Sequence, residues 1–260
     1  MICDAHVHMG YFRRKGRRLP FYYSPRRILG VLDRCGVDEF IVSSTCAQIA
    51  ELGVDDIMRE YREMKRLAGK RAHLFFWLSR HLFEQDPELR WMDCGLFEGI
   101  KFHELEARWM EFHRDDLYRI IEKVSRRGFC VQFHSGEFGF HRPGALKEIA
   151  LAFPQVHFDF AHCAPTSEMS EVIAECSNVW TDTAMLSAMQ IAETKAVDLK
   201  GRLMFGSDIP VWQAFEDIGL TERYREHLAN FERLYDAESS ASAFLKFLNI
   251  NKGGKNERWL

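Results

Sequence analysis

The chain has 260 residues, 47% of them hydrophobic and 28% charged, a composition too apolar for an intrinsically disordered protein and sufficient for one large core. Its 35 Lys and Arg against 38 Asp and Glu leave a formal charge of −3, so no global cationic field draws it to nucleic acid or to an anionic membrane. The seven cysteines are odd in number and scattered without a C-x-x-C pair, which reads as reduced thiols and not as a disulfide framework.

Strand-like and helix-like segments alternate along the chain. The first apolar run, residues 2–8, is followed by a helix that Ser24-Pro25 opens as N-cap and first-turn proline, with Ile28, Val31 and Leu32 on one face and Gly36 as the stop. Further strands are expected at 39–44, 73–79 and 99–103. A helix then starts at Asp115, carries Leu117, Ile120, Ile121 and Val124 at helical spacing, and ends at Gly128. Strand 129–134 leads into a helix begun by Pro143-Gly144 and closed before Pro154, and strands 156–162, 178–183 and 202–208 follow. Two helices, through 223–234 and 240–248, complete the pattern.

Eight strands spaced roughly 29 residues apart predict a closed (β/α)8 TIM barrel, with residues 1–260 as a single domain. An open doubly wound sheet would need a glycine-rich phosphate turn after the first strand, and Gly10-Tyr11-Phe12-Arg13 is not one. No apolar stretch approaches the roughly 20 residues that span a bilayer. The N-terminus, MICDAHVHMG, lacks the basic and apolar regions of a leader, whose removal would also take His6 and His8, so a cytoplasmic protein is expected.

The chemistry begins with Asp4-Ala5-His6-Val7-His8. Period-two geometry on a regular strand would point Asp4, His6 and His8 to one face and Ala5 and Val7 to the other, so that the two imidazoles chelate one metal. Other strands end in metal-capable groups at the corresponding place, the C-terminal mouth where barrel sites are built: His103 on the fourth, His134 on the fifth, His162 on the sixth and Asp208 on the eighth.

The ordered set DAHVH, GIKFH, VQFHSGE, FDFAHC and MFGSDIP resembles the amidohydrolase superfamily of metal-dependent TIM barrels, specifically its amidohydrolase-related branch. The late segment SSASAFLKFLNI is similar to the helix that closes the barrel there. The resemblance implies that His6, His8, His134 and Asp208 hold a divalent metal, zinc first, with manganese or iron as chemical alternatives. It gives Asp208 a second role, accepting the proton of the attacking water, and places His162 beside the metal to polarise substrate or orient the water, or as a ligand. Asp4 would act behind the chelating pair. Lys101 faces the pocket as a charge in a one-metal site, or is carboxylated to bridge two metals; one metal is the expectation. The branch commonly has proline where Glu104 follows His103, which leaves Glu104 or Glu137 as candidates for a further ligand.

On the substrate side, Lys101 and His103 share one face of the fourth strand. The loop after strand one carries Arg13, Arg14, Lys15, Arg17 and Arg18. With Arg80, His81, His141 and Arg142 after later strands, it would form a basic rim for a carboxylate or phosphate, against the simpler reading of a solvated loop. Phe21, Tyr22 and Tyr23 would either wall a pocket or staple the helix at Ser24.

The expected function is a metal-dependent hydrolase of a small anionic amide, lactone or ester. A decarboxylase or hydratase of an unsaturated or aromatic carboxylic acid is the alternative on the same scaffold. A TatD-type nuclease would place a carboxylate where Lys101 stands, and a non-catalytic metal-binding protein is the last class. The expected partner is a small molecule, with no nucleic acid and no membrane; a homo-oligomer is compatible with the sequence.

Overall fold

The computed structural model describes residues 1–12, 21–103, 112, 114–136, 142–215 and 218–249. Its strands are β1 (Cys3–Phe12), β2 (Phe21–Tyr23), β3 (Glu39–Ser44), β4 (Ala72–Trp77), β5 (Gly99–Phe102), β6 (Cys130–Phe133), β7 (Phe158–Phe160), β8 (Val179–Asp182) and β9 (Leu203–Met204). The helices between and after them are α1 (Pro25–Arg34), α2 (Val54–Ala68), α3 (Arg80–Gln85), α4 (Arg114–Arg126), α5 (Pro143–Ala152), α6 (Thr166–Glu175), α7 (Ala188–Glu193), α8 (Leu220–Glu232) and α9 (Ala237–Phe247).

β1 and β3 through β9 run parallel in chain order. On its other side β1 bonds to the stretch beyond β9: Ala5 N donates to Phe205 O, Asp208 N to His6 O, and His8 N to Ile209 O, each at 2.8 Å. The sheet therefore curls back on its first strand, giving the α/β TIM barrel that the strand spacing predicts. The sequence reading omitted β2. Phe21–Tyr23 pairs antiparallel with Gly10–Phe12, where the Tyr22 ring lies tilted against that of Tyr11 and Tyr23 is buried.

Two apolar layers hold the barrel. Outward residues such as Val42, Phe76, Ile100 and Phe158 meet the inner faces of the surrounding helices. Inside the N-terminal end, Ala5, Ile41, Phe75 and Met204 pack against Phe244 and Phe247 of α9, which seals that end. Each fully buried phenylalanine contributes about 1.5–3 kcal/mol. Asp236 caps α9 by accepting from Ser239 N at 2.7 Å.

The sequence reading of β1 needs one correction. Asp4 pairs with Phe40 and Val7 with Val42, so β1 advances three residues while β3 advances two. That extra residue is a β-bulge, and it changes which face the following side chains occupy. Cys3 and Ala5 join the inner cluster, and beyond the bulge His6 and His8 also face inward. Asp4 consequently does not share a face with the histidines; it lies on the outer side of the strand, near Tyr224 of α8.

Candidate metal centre

The bulge delivers the β1 imidazoles to the barrel mouth, where they meet the segment after β9. His6 Nε2 lies 3.1 Å from His8 Nε2. Asp208 Oδ1 lies 3.1 Å from His8 Nε2 and 3.7 Å from His6 Nε2. All three residues are buried, and Asp208 Oδ1 has no hydrogen-bond partner among the described residues.

Asp208 reaches this point from a left-handed backbone conformation (φ 55°), held by its own N–H to His6 O and by Trp212 Nε1, which donates to Ser207 O at 2.8 Å. A non-glycine residue at positive φ costs on the order of 1 kcal/mol, and His162 also adopts one (φ 74°). Gly206 makes the close approach possible, because a Cβ there would stand 3.0 Å from Asp182 Cγ and 3.1 Å from His6 Cβ. Asp4 ties the two strands from behind, its Oδ1 accepting from His6 N and Ser207 N at 3.0 Å each. Burial pushes the Asp4 carboxyl up to about 7.

The remaining ring nitrogens are engaged. His6 Nδ1 bonds Asp182 Oδ2 at 2.8 Å, and His8 Nδ1 lies 2.9 Å from Ser43 Oγ. Because the Asp182 carboxylate can only accept, His6 carries its proton on Nδ1 and presents a lone pair at Nε2. Burial, then the Lys101 charge, push the His6 imidazole down to about 4, and burial also lowers His8. Asp208 stays ionised despite its burial, because His6 and His8 beside it hold its carboxyl well below the usual range.

Two imidazole nitrogens and one carboxylate oxygen thus converge in a buried site. Two ligand atoms on a tetrahedral zinc sit about 3.3 Å apart, close to the spacing between His6 Nε2 and His8 Nε2. The donor set and the orphaned Asp208 oxygen fit a divalent metal. His6, His162 and Asp182 form a second convergent group, but the oxygens of Asp182 are already occupied by hydrogen bonds.

His134 stands one ring further out, its Nδ1 2.9 Å from His162 Nε2, while His162 Nδ1 lies 3.0 Å from Ala184 O. His103 stacks on Trp77 and lies against His134, with ring centroids 5.0 and 4.1 Å apart. Lys101 is fully buried, with Nζ 3.1 Å from His6 Nε2. Burial pushes its ammonium down to about 8 against the opposing pull of Asp182, Asp208 and Asp159.

Two arginines expected at the rim are held by acids. Arg80 pairs with Glu84 at 2.8 Å and Asp116 at 2.9 Å, and Arg142 with Glu168 at 2.8 Å. Arg13, Arg14, Lys15, Arg17, Arg18, Glu104, Glu137 and His141 lie outside the described residues.

Two buried acids escaped the sequence reading. Asp182 ends β8 and Asp159 lies on β7; both are fully buried. Burial, then the neighbouring Asp182, push Asp159 far above the usual carboxylate range, while His6 outweighs burial at Asp182 and holds it well below. Alternation along NVWTDT marks Asp182 as inward with Trp180, a signal available without the structure.

A model of the amidohydrolase family matches residues 47–231, a span that contains His134, His162 and Asp208 and begins after β1. No curated protein sequence matches the chain. Among solved structures it is similar to a probable 2-pyrone-4,6-dicarboxylic acid hydrolase of Acinetobacter baumannii with citric acid bound (TM-score 0.65, 11% identity, covering 96% of this chain and 99% of that one). It is also similar to an amidohydrolase from Burkholderia multivorans with bound zinc (0.66, 12%, 96% and 100%). A third is 4-oxalomesaconate hydratase of Rhodopseudomonas palustris (0.64, 13%, 96% and 96%).

Proposed function

The chain belongs to the amidohydrolase family, and from that premise we propose that it is a metal-dependent hydrolase acting on the amide, lactone or ester bond of a small carboxylic acid. The observation that carries the reading is the convergence of His6 Nε2, His8 Nε2 and Asp208 Oδ1 in a buried site. His134 is the fourth candidate ligand, through the ring nitrogen that does not face His162. Zinc in this donor set would supply Lewis acidity toward water and a carbonyl oxygen; manganese and iron suit the same ligands.

The chain's own groups divide the remaining work. Asp208, ionised at neutral pH, accepts a hydrogen bond from the attacking water and takes its proton. His162, held on both ring nitrogens by Ala184 O and His134, orients its neighbours. Lys101, charged below about pH 8, stands beside the ligands, placed to stabilise negative charge that develops on the substrate. The burial of the whole group excludes water from competing with these interactions.

Lys101 also favours a second reading, decarboxylation or hydration of an unsaturated acid, since a buried ammonium can hold a substrate carboxylate or a developing carbanion. The hydratase among the similar structures is in keeping with it. The test is a screen of zinc-reconstituted protein with lactones, anilides, hydroxybenzoates and unsaturated diacids, with products identified by mass in 18O-water. Ring opening or amide cleavage with one 18O incorporated supports hydrolysis. Loss of CO2, or water added across a double bond, replaces it with the second reading.

A further inference from the structure

We infer that Asp182 is a positioning residue that sets the proton pattern of His6 and His162, so that His6 presents Nε2 as a lone pair. The inference rests on the metal-site reading above and adds a residue and a wiring that the ligand set does not contain.

Asp182 Oδ2 accepts from His6 Nδ1 at 2.8 Å, which places the proton of neutral His6 on Nδ1. Asp182 Oδ1 accepts two backbone donors, His162 N at 3.0 Å and Ala184 N at 2.9 Å. The second of these fixes Ala184, whose carbonyl lies 3.0 Å from His162 Nδ1. A carbonyl only accepts, so His162 carries its proton on Nδ1 and offers its Nε2 lone pair. His134 Nδ1 lies 2.9 Å from that Nε2. One carboxylate on β8 therefore reaches His6 directly and His162 through a peptide. A ring whose outer nitrogen is fixed in this way keeps both its orientation and its basicity as a ligand.

The same geometry predicts the effect of an isosteric change. In Asp182→Asn one terminal atom becomes NH2. That group cannot occupy the Oδ1 position, where two backbone N–H groups point, so the amide oxygen stays there and the NH2 turns to His6 Nδ1. His6 Nδ1 must then accept, and its proton moves to Nε2, into the metal site. The fold is retained while the ligand atom is blocked.

The test uses metal-free, 15N-histidine-labelled protein and long-range 1H–15N correlation, with His6→Gln to assign the His6 signals. Wild type is expected to show His6 protonated on Nδ1, and Asp182→Asn to show it on Nε2. Zinc affinity by chelator competition should fall about 10–100-fold in Asp182→Asn while the melting temperature of the metal-free protein stays close to that of wild type. A wild-type spectrum with His6 protonated on Nε2 would overturn the assignment, and that reading needs no variant to fold. So would an Asp182→Asn protein with His6 still protonated on Nδ1 and undiminished zinc affinity. Both readouts are taken without substrate, so a wild type that hydrolyses nothing would remove the hydrolase reading and leave this assignment standing.

Discussion

His8 Nε2 and Asp208 Oδ1 lie 3.1 Å apart, and among the described residues no partner meets the hydrogen-bond geometry at that carboxylate oxygen. A buried carboxylate facing two imidazole nitrogens suits a cation. Elemental analysis of wild type reconstituted with zinc is therefore expected to give one equivalent, with His6→Ala and Asp208→Asn close to zero. Two equivalents that fall to one in Lys101→Met would instead support a site bridged by a carboxylated lysine. Metal at 1,000 times its Kd stabilises a native state by about 4 kcal/mol, so the melting temperature of wild type should rise with zinc and that of His6→Ala should not.

Lys101 makes the metal affinity depend on pH. Its ammonium sits 3.1 Å from His6 Nε2 and is pushed down to about 8 by burial, so it is charged below that pH and repels a dication. His6 itself, at about 4, is already neutral through this range and does not compete. Zinc affinity should accordingly rise between pH 6 and 8, by up to about tenfold per pH unit, and flatten above. In Lys101→Met the slope should vanish; an unchanged slope in calorimetric titrations would assign the proton elsewhere.

Gly206→Ala tests the close approach of β9 to the site. The new methyl would meet Asp182 Cγ at 3.0 Å and His6 Cβ at 3.1 Å, and both neighbours belong to packed strands. The expected cost is about 1–3 kcal/mol in denaturant unfolding, together with loss of bound zinc. Gly136→Ala, where a Cβ meets nothing within 4 Å among the described residues, serves as the control and should change neither.

At the opposite end of the barrel, His73 is clasped by Glu98 Oε2 at 2.6 Å and Glu39 Oε2 at 2.9 Å, bridging the starts of three strands. Burial opposes its charge, but the two carboxylates outweigh it and raise the imidazole above its ordinary value. A folded-state value above the unfolded one means stabilisation that is complete below about pH 6.5 and lost as pH rises through the raised value. Because both glutamates are partly exposed, the expected contribution is about 1–3 kcal/mol. Unfolding free energies measured from pH 5.5 to 8.5 should decline in wild type by more than in His73→Gln.

The strand pattern, the helix punctuation and the mouth histidines were legible in the chain because each depends on local periodicity. Runs of Val, Ile and Phe at roughly 29-residue spacing leave few architectures besides a barrel. Ser24, Pro25 and Gly36 bound α1 by rules that act within a few residues, and Ser24 Oγ does accept from Arg27 N. The short β2 escaped because its pairing with β1 is a tertiary event across residues 13–20.

The sequence by itself determined which residue types stand at the strand ends, and with them the kind of chemistry the mouth can host. Tertiary structure decided which of those residues face one another. A single bulge, invisible in DAHVH, separates Asp4 from the histidines it would accompany on a regular strand. Ion pairing to Glu84, Asp116 and Glu168 occupies Arg80 and Arg142, a contest between distant charges that no local pattern records. Asp182 binds a histidine 176 positions earlier in the chain, and that bond determines which nitrogen of His6 carries a proton. Periodicity reports the face of an element, whereas a tautomer depends on the partner across the barrel.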